Sequence, residues 1–202
     1  MQRIIDHFEN IDPVIARVVT AAFTGETPIT LGEPIAPDRY FRELASSVVS
    51  QQLSTKAAAT IWRRFEELAG EVTPERVLVL DIDDMRRAGV SRQKAGYLQA
   101  MAGSVVSGEV DLQHIAGMDD DQVIAELTKL KGIGPWTAEM FLMFGLARPD
   151  VFSYLDLGLL RAFEIVYEKP GITRAEMELV VMKWAPYRTY AALALWHHRD
   201  KG

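Results

Sequence analysis

The chain has 202 residues, nearly half of them apolar, a net charge of −6 and no cysteine. That length fits one compact unit or two small lobes around a substantial core. The lack of cysteine excludes disulfides, a thiolate zinc site and a cysteine-held iron–sulfur cluster, and no apolar run reaches the roughly 18 residues of a membrane span.

Met1 to Asn10 alternates charged and apolar residues and lacks the charged-then-apolar order of a secretory signal, so a cytoplasmic protein with no membrane association is expected. Residues 24–37 hold three prolines and two glycines and read as a loop. From Tyr40 to Gln52, Phe41, Leu44, Ala45, Val48 and Val49 recur at helical spacing. A helix starting near Ser54 carries Ala57, Ala58, Ile61, Trp62, Phe65 and Leu68 and stops at Gly70. Thr73-Pro74 opens another, and Val77–Leu80, although apolar, sits inside that capped segment. Ser91 caps a helix holding Leu98, Met101, Ala102 and Val105. Asp119 or Asp120 caps the next, with Val123, Ile124, Leu127 and Leu130 on one face. Thr173 and Glu176 have capping-box spacing, and a last helix is expected from Arg188 to His198. The class is all-α.

A net negative charge speaks against nucleic acid as a partner, because non-specific DNA affinity comes mainly from basic residues; a local basic face answers that. Arg86, Arg87, Arg92 and Lys94 form one such stretch, and Lys56, Arg63 and Arg64 another. Each reads equally as a solvated helix face.

Leu130 to Ala138 carries more information. A helix is expected to end at Leu130 and another to begin at Pro135, with Gly132 and Gly134 in the tight turn between them. Glycine permits positive φ and a close approach of another molecule's backbone, and a helix N-terminus favours a phosphate. Such a turn grips a DNA backbone without net positive charge; it serves equally as a packing turn between helices. The helix from Thr137 to Leu146 is apolar nearly all round, which predicts burial. Asp156 stands just before Leu157, Leu160, Phe163, Ile165 and Val166, the pattern of a fresh helix. It reads as an N-cap. A carboxylate held there is favoured as the anion, and an anion in a cleft stabilises a sugar cation and orients a water molecule.

The order of hairpin, apolar helix, "DVFSYLD" and helix resembles the helix-hairpin-helix DNA glycosylase superfamily, and "GIGPWTA" with its spacing to Asp156 looks most like the AlkA-type 3-methyladenine DNA glycosylases. The likeness runs from Tyr40 to the C-terminus and takes in "SVVSQQLSTKAA", "GVSRQKAGYL" and "WAPYRTYAALALW". It implies that Asp156 is the catalytic aspartate. It implies that Gly132, Ile133, Gly134 and Thr137 meet a DNA phosphate, and that the carbonyls of Thr128, Leu130 and Ile133 hold a sodium or potassium ion. Gln52 and Leu53 then form a wedge beside the flipped nucleotide, with Lys56 near the backbone; burial at a helix end is the alternative for Leu53. Bifunctional relatives carry a lysine where this chain has Trp136. Tryptophan has no amine for a Schiff base, so water is the expected nucleophile, no lyase step follows, and no cofactor is needed for catalysis.

Electron-rich rings attract cationic alkylpurines, and Trp136, Tyr154 and Trp62 are the base-pocket candidates. Phe41, Trp184 and Tyr187 are weaker pocket candidates, core packing being the expected role for most of them, and His197 and His198 are assigned to the surface. Lys131 precedes the first glycine and gains no role. The resemblance implies two helical lobes, residues 36–143 and residues 1–35 with 144–202, no N-terminal β domain, a cleft between the lobes, and a monomer acting on double-stranded DNA with a damaged base. Position 140 is methionine where some relatives place an aromatic, which leaves the lesion open. A glycosylase for other lesions and a non-catalytic damage-sensing module are the alternatives.

Overall fold

The computed structural model describes residues 1–201, and among the described residues there is no strand. The chain divides into two compact units, Ile35–Phe141 and Met1–Pro34 with Leu142–Gly202.

The first unit starts with α3 (Tyr40–Ser50), which buries Phe41, Leu44, Ala45, Val48 and Val49. It packs on α4 (Thr55–Ala69) and α7 (Arg92–Val106). Between those two run α5 (Pro74–Leu78) and α6 (Ile82–Arg87). Each start is set by a side chain that accepts an orphan amide: Ser54 from Ala57, Thr73 from Arg76, Asp81 from Asp83 and Asp84, Ser91 from Lys94. Of the two candidate caps for α8 (Asp120–Leu127), Asp119 is the one used, in a reciprocal box with Gln122. Phe65, Met85, Leu98, Met101, Ile115 and Leu127 are fully buried beneath these helices. Each such side chain contributes about 2 kcal/mol by leaving water.

In the second unit, α1 (Gln2–Ile11) and α2 (Pro13–Thr24) pack on each other, and α12 (Arg188–Lys201) packs on α2 and on α10 (Leu157–Val166). α11 (Arg174–Val181) starts with the Thr173–Glu176 capping box. Asp12 ties this unit together. Its Oδ1 accepts from the amides of Val14 and Ile15 at the start of α2, at 3.1 and 3.4 Å. Its Oδ2 accepts from the Tyr167 hydroxyl at 2.6 Å and from the Trp184 indole at 3.2 Å. Burial, then the Asp12 carboxylate, push the Tyr167 hydroxyl far above the usual phenol range.

Four expectations need correction. The helix expected to reach Gln52 ends at Ser50: Gln51 leaves the helical range at ψ 134°, and Gln52 then turns left-handed at φ 58°. The helix expected to end at Leu130 stops at Leu127, and Leu130 lies in the following turn. The buried helix from Thr137 to Leu146 is not regular. α9 (Pro135–Met140) gives way to a π turn over Phe141–Gly145, and Phe144 is 52% exposed and stacks on Trp196 at 6.0 Å. One extra residue per turn rotates Phe144 off the buried face. His197, assigned to the surface, is half-buried, with its Nε2 buried and without a hydrogen-bond partner; only His198 is exposed.

Asp12→Ala removes a cap and leaves two donors without their acceptor, so it lowers stability by about 3 kcal/mol in urea unfolding. Tyr167 holds its proton more tightly folded than unfolded, so its contribution is present below pH 10, the ordinary phenol value, and is lost as pH rises beyond it. Tyr167→Phe should show a shallower fall in stability above pH 10 than the parent.

Candidate functional site

In the hairpin, the Leu130 amide donates to the Leu127 carbonyl at 3.0 Å and the Leu130 carbonyl accepts from the Ile133 amide at 3.0 Å, closing the turn. Gly132 sits at φ +94° with its Cα against the Tyr97 ring; a Cβ there would lie 2.8 Å from the ring's Cδ2. Both constraints demand glycine. Gly134 is the N-cap of α9, is exposed, and has open space where a Cβ would go. Pro135 supplies the preset φ of a first helical residue. The Ile133 side chain is buried, and Thr137 is 5% exposed, so these anchor the turn from below.

A cavity of about 700 Å³ opens between α3 and α9. Glu43, Ser46, Ser47 and Ser50 line it from successive turns of α3, and Trp136, Thr137 and Met140 from α9. Gln51, Gln52, Leu53 and Gly134 complete the wall. One side is therefore short hydroxyls and a carboxylate, the other a flat indole and a thioether, a combination suited to a planar heterocycle. Trp136 is 43% exposed at this surface. The Glu43 carboxylate is paired with Arg42 at 3.0 Å and Arg39 at 3.6 Å.

The 51–53 loop forms the cavity's rim. Leu53 is 39% exposed, which speaks against the alternative of a buried helix-end leucine. Gln52 is held left-handed, which costs a non-glycine residue about 1 kcal/mol. Two side chains hold the loop. Gln51 Nε2 donates to the Gly132 carbonyl at 2.9 Å, and Lys94 Nζ donates to the carbonyls of Val49 at 2.8 Å and Gln51 at 2.5 Å. Burial lowers the Lys94 amine below the usual lysine value. Sequence reasoning gave neither residue this role; Lys94 was grouped with a basic stretch.

In the other unit, Asp156 caps α10. Its Oδ1 accepts from the Leu159 amide at 2.7 Å and from the Trp196 indole at 3.1 Å. The approach to it is braced. Asp150 takes a two-pronged ion pair from Arg188, at 2.8 Å for each prong, and accepts the Arg188 amide at 3.2 Å, which caps α12. The buried Thr189 hydroxyl donates to the Arg148 carbonyl at 2.7 Å and accepts from the Val151 amide at 2.9 Å. A carboxylate oriented this way at a helix N-terminus can accept a proton from water or face a developing positive charge. Trp196 is the residue that sequence reasoning missed here. It lies forty positions from Asp156 in the chain, and no local spacing signals the pairing.

The remaining candidates are dispersed. Trp62 does not line the α3–α9 cavity; it stacks on Phe65 at 5.6 Å and takes the Arg42 guanidinium on its face. Tyr154 is half-buried against Phe152 at 5.0 Å, with Arg174 over its ring and a hydroxyl raised by burial. Lys56 is exposed in the first turn of α4. Arg86 and Arg87 pair with Asp83 and Asp84, as on a solvated helix face. Thr128 follows the end of α8, its hydroxyl donating to the Ile124 carbonyl at 2.7 Å. Among the described residues, no group of three or more histidines or carboxylates gathers at metal-binding distance.

A family profile described as "HhH-GPD superfamily base excision DNA repair protein" matches residues 45–187. The DNA-3-methyladenine glycosylase 1 of Schizosaccharomyces pombe is 35% identical, over 77% of this chain and 71% of its own. The solved DNA-3-methyladenine glycosidase of Bacillus halodurans is 37% identical, with a TM-score of 0.79 over 92% of this chain and 87% of its own. A 3-methyladenine DNA glycosylase of S. pombe, solved with abasic DNA, is 30% identical, with a TM-score of 0.82 over 98% of this chain and 97% of its own.

Two glycines flanking these features should respond differently. Gly132→Ala meets both a positive φ and the root of the Tyr97 ring, so it costs about 2 kcal/mol in thermal or urea unfolding. At Gly158 φ is ordinary and a Cβ would meet the far end of the Arg199 side chain, which swings aside, but it would also lie 2.9 Å from the Asp156 Oδ1 that Leu159 and Trp196 hold, so Gly158→Ala costs about 1 kcal/mol in the same unfolding measurement and disturbs that carboxylate.

Proposed function

The chain belongs to the HhH-GPD superfamily of base excision DNA repair proteins, and from this we propose that it is a monofunctional DNA glycosylase that hydrolyses the N-glycosidic bond of alkylated purines. The setting of Asp156 carries this reading: a carboxylate at a helix N-terminus, oriented by one amide and one indole through the same oxygen. Relatives named DNA-3-methyladenine glycosylase support the substrate class.

The chemistry asked of the protein is small. An N-alkylated purine is cationic and leaves with the electron pair of its glycosidic bond as a neutral base. Asp156 faces the sugar cation that remains and accepts the proton of the water whose oxygen bonds to C1′. No proton need be delivered to the leaving group. Trp136 stacks on the extruded base, where its π face favours a cation. Having no amine, it forms no Schiff base, so the abasic strand stays intact.

DNA is held by the hairpin, through Gly132, Ile133, Gly134 and Thr137 on a phosphate, with Lys56 nearby on the backbone. Leu53 and Gln52 enter the space the base vacates. The carbonyls of Thr128, Leu130 and Ile133 offer an all-oxygen donor set that suits a hard monovalent cation; such an ion would neutralise the phosphate from behind the turn. The protein acts as a monomer in the cytoplasm on duplex DNA containing a damaged base.

Methylated duplex DNA incubated with the parent and with Asp156→Asn tests this. The parent should release 3-methyladenine or 7-methylguanine and leave abasic sites that break only on alkali treatment. The variant should bind as well and release base about a thousandfold more slowly. Tight binding without release by the parent would instead identify a damage-sensing module.

A further inference from the structure

We propose that Lys94 and Gln51 are positioning residues that latch the 51–53 loop to the hairpin, so that the wedge and the phosphate grip move as one body when a base is everted. The proposal rests on the glycosylase reading for its purpose, but not for its geometry.

Lys94 is misplaced for its own helix. It stands in the first turn of α7, where the helix dipole disfavours a cation and where acids are usual. Its Nζ reaches instead to the C-terminal end of α3, where the last carbonyls lack intrahelical partners and the dipole favours positive charge. There it donates to the Val49 carbonyl, the last turn of α3, and to the Gln51 carbonyl, the first residue beyond it. The next residue is Gln52, at φ 58°. A left-handed glutamine persists only where its surroundings over-determine it, and the Lys94 bonds fix the residue just before it.

Gln51 completes the chain of contacts. Its carbonyl is held by Lys94 while its own side-chain amide donates to the Gly132 carbonyl. Gly132 in turn lies against Tyr97, one turn beyond Lys94 on α7. Thus α7 touches both ends of the latch, one through an ammonium and the other through a ring. A loop carrying an exposed leucine gains nothing for stability from such bracing, whereas a wedge pushed into a base stack must be backed by something rigid. Ion pairing does not explain Lys94 either, since both acceptors are backbone carbonyls.

The test compares Lys94→Met, Lys94→Arg, Gln51→Ala and the Lys94→Met/Gln51→Ala double variant with the parent. Hydrogen exchange in the peptide spanning residues 50–55 reads the latch without any activity. It should quicken about tenfold in Lys94→Met, which loses both charge-assisted bonds, to Val49 and to Gln51, with exchange elsewhere unchanged. Base eversion, read by 2-aminopurine fluorescence in duplex DNA, and single-turnover base release should fall by a similar factor, while affinity for undamaged duplex stays within about twofold. Lys94→Arg should recover part of the loss, and the double variant should be no worse than the poorer single variant, as for two parts of one unit. Unchanged exchange and eversion in Lys94→Met would overturn the latch. An equal loss of affinity for undamaged duplex would overturn it too, and make Lys94 a phosphate contact. If the parent releases no base, the glycosylase reading fails, and the exchange measurement still decides the latch.

Discussion

At residue 132 the backbone must reverse with positive φ while its Cα rests on the Tyr97 ring. Only a residue without Cβ satisfies both demands. Once the chain turns there, much else in the first unit follows. The Gly132 carbonyl meets Gln51, whose own carbonyl meets Lys94, and Pro135 starts α9 with Trp136 lining the cavity opposite the serines of α3. Replace the glycine and the turn, the loop and the cavity wall lose their common reference.

The second unit is organised by carboxylates rather than by a turn. Asp12, Asp150 and Asp156 each accept amides at the start of a helix and each also take a donor from elsewhere in the chain: Tyr167 and Trp184, the Arg188 guanidinium, and Trp196. The first two brace the fold. The third uses the same chemistry to orient a group that belongs to the proposed reaction.

This bears on the net charge of −6. Several acids are spent locally: Asp81, Asp119 and Asp156 cap helices, and Asp83 and Asp84 pair with Arg86 and Arg87. Charges used this way say little about the field that a DNA backbone meets, and a grip made of backbone amides needs no excess of lysine.

The all-helical class and most helix starts were legible in the sequence, because both are local. Apolar spacing marks one face of a helix, and Ser91, Asp119, Thr173 and Asp156 each cap within three residues of their own position. The turn at Gly132, with its positive φ, was legible for the same reason; its contact with the Tyr97 ring was not, and Gly134, expected to share the need for glycine, has open space where a Cβ would go. Three other features came only with the tertiary structure: Trp196 on Asp156, Lys94 turned away from its own helix dipole, and the serine face of α3 brought opposite Trp136. So did the π turn that exposes Phe144, and the half-burial of His197. Each depends on which helix packs beside which, and pattern along a chain records the face a helix buries but not the partner it buries it against.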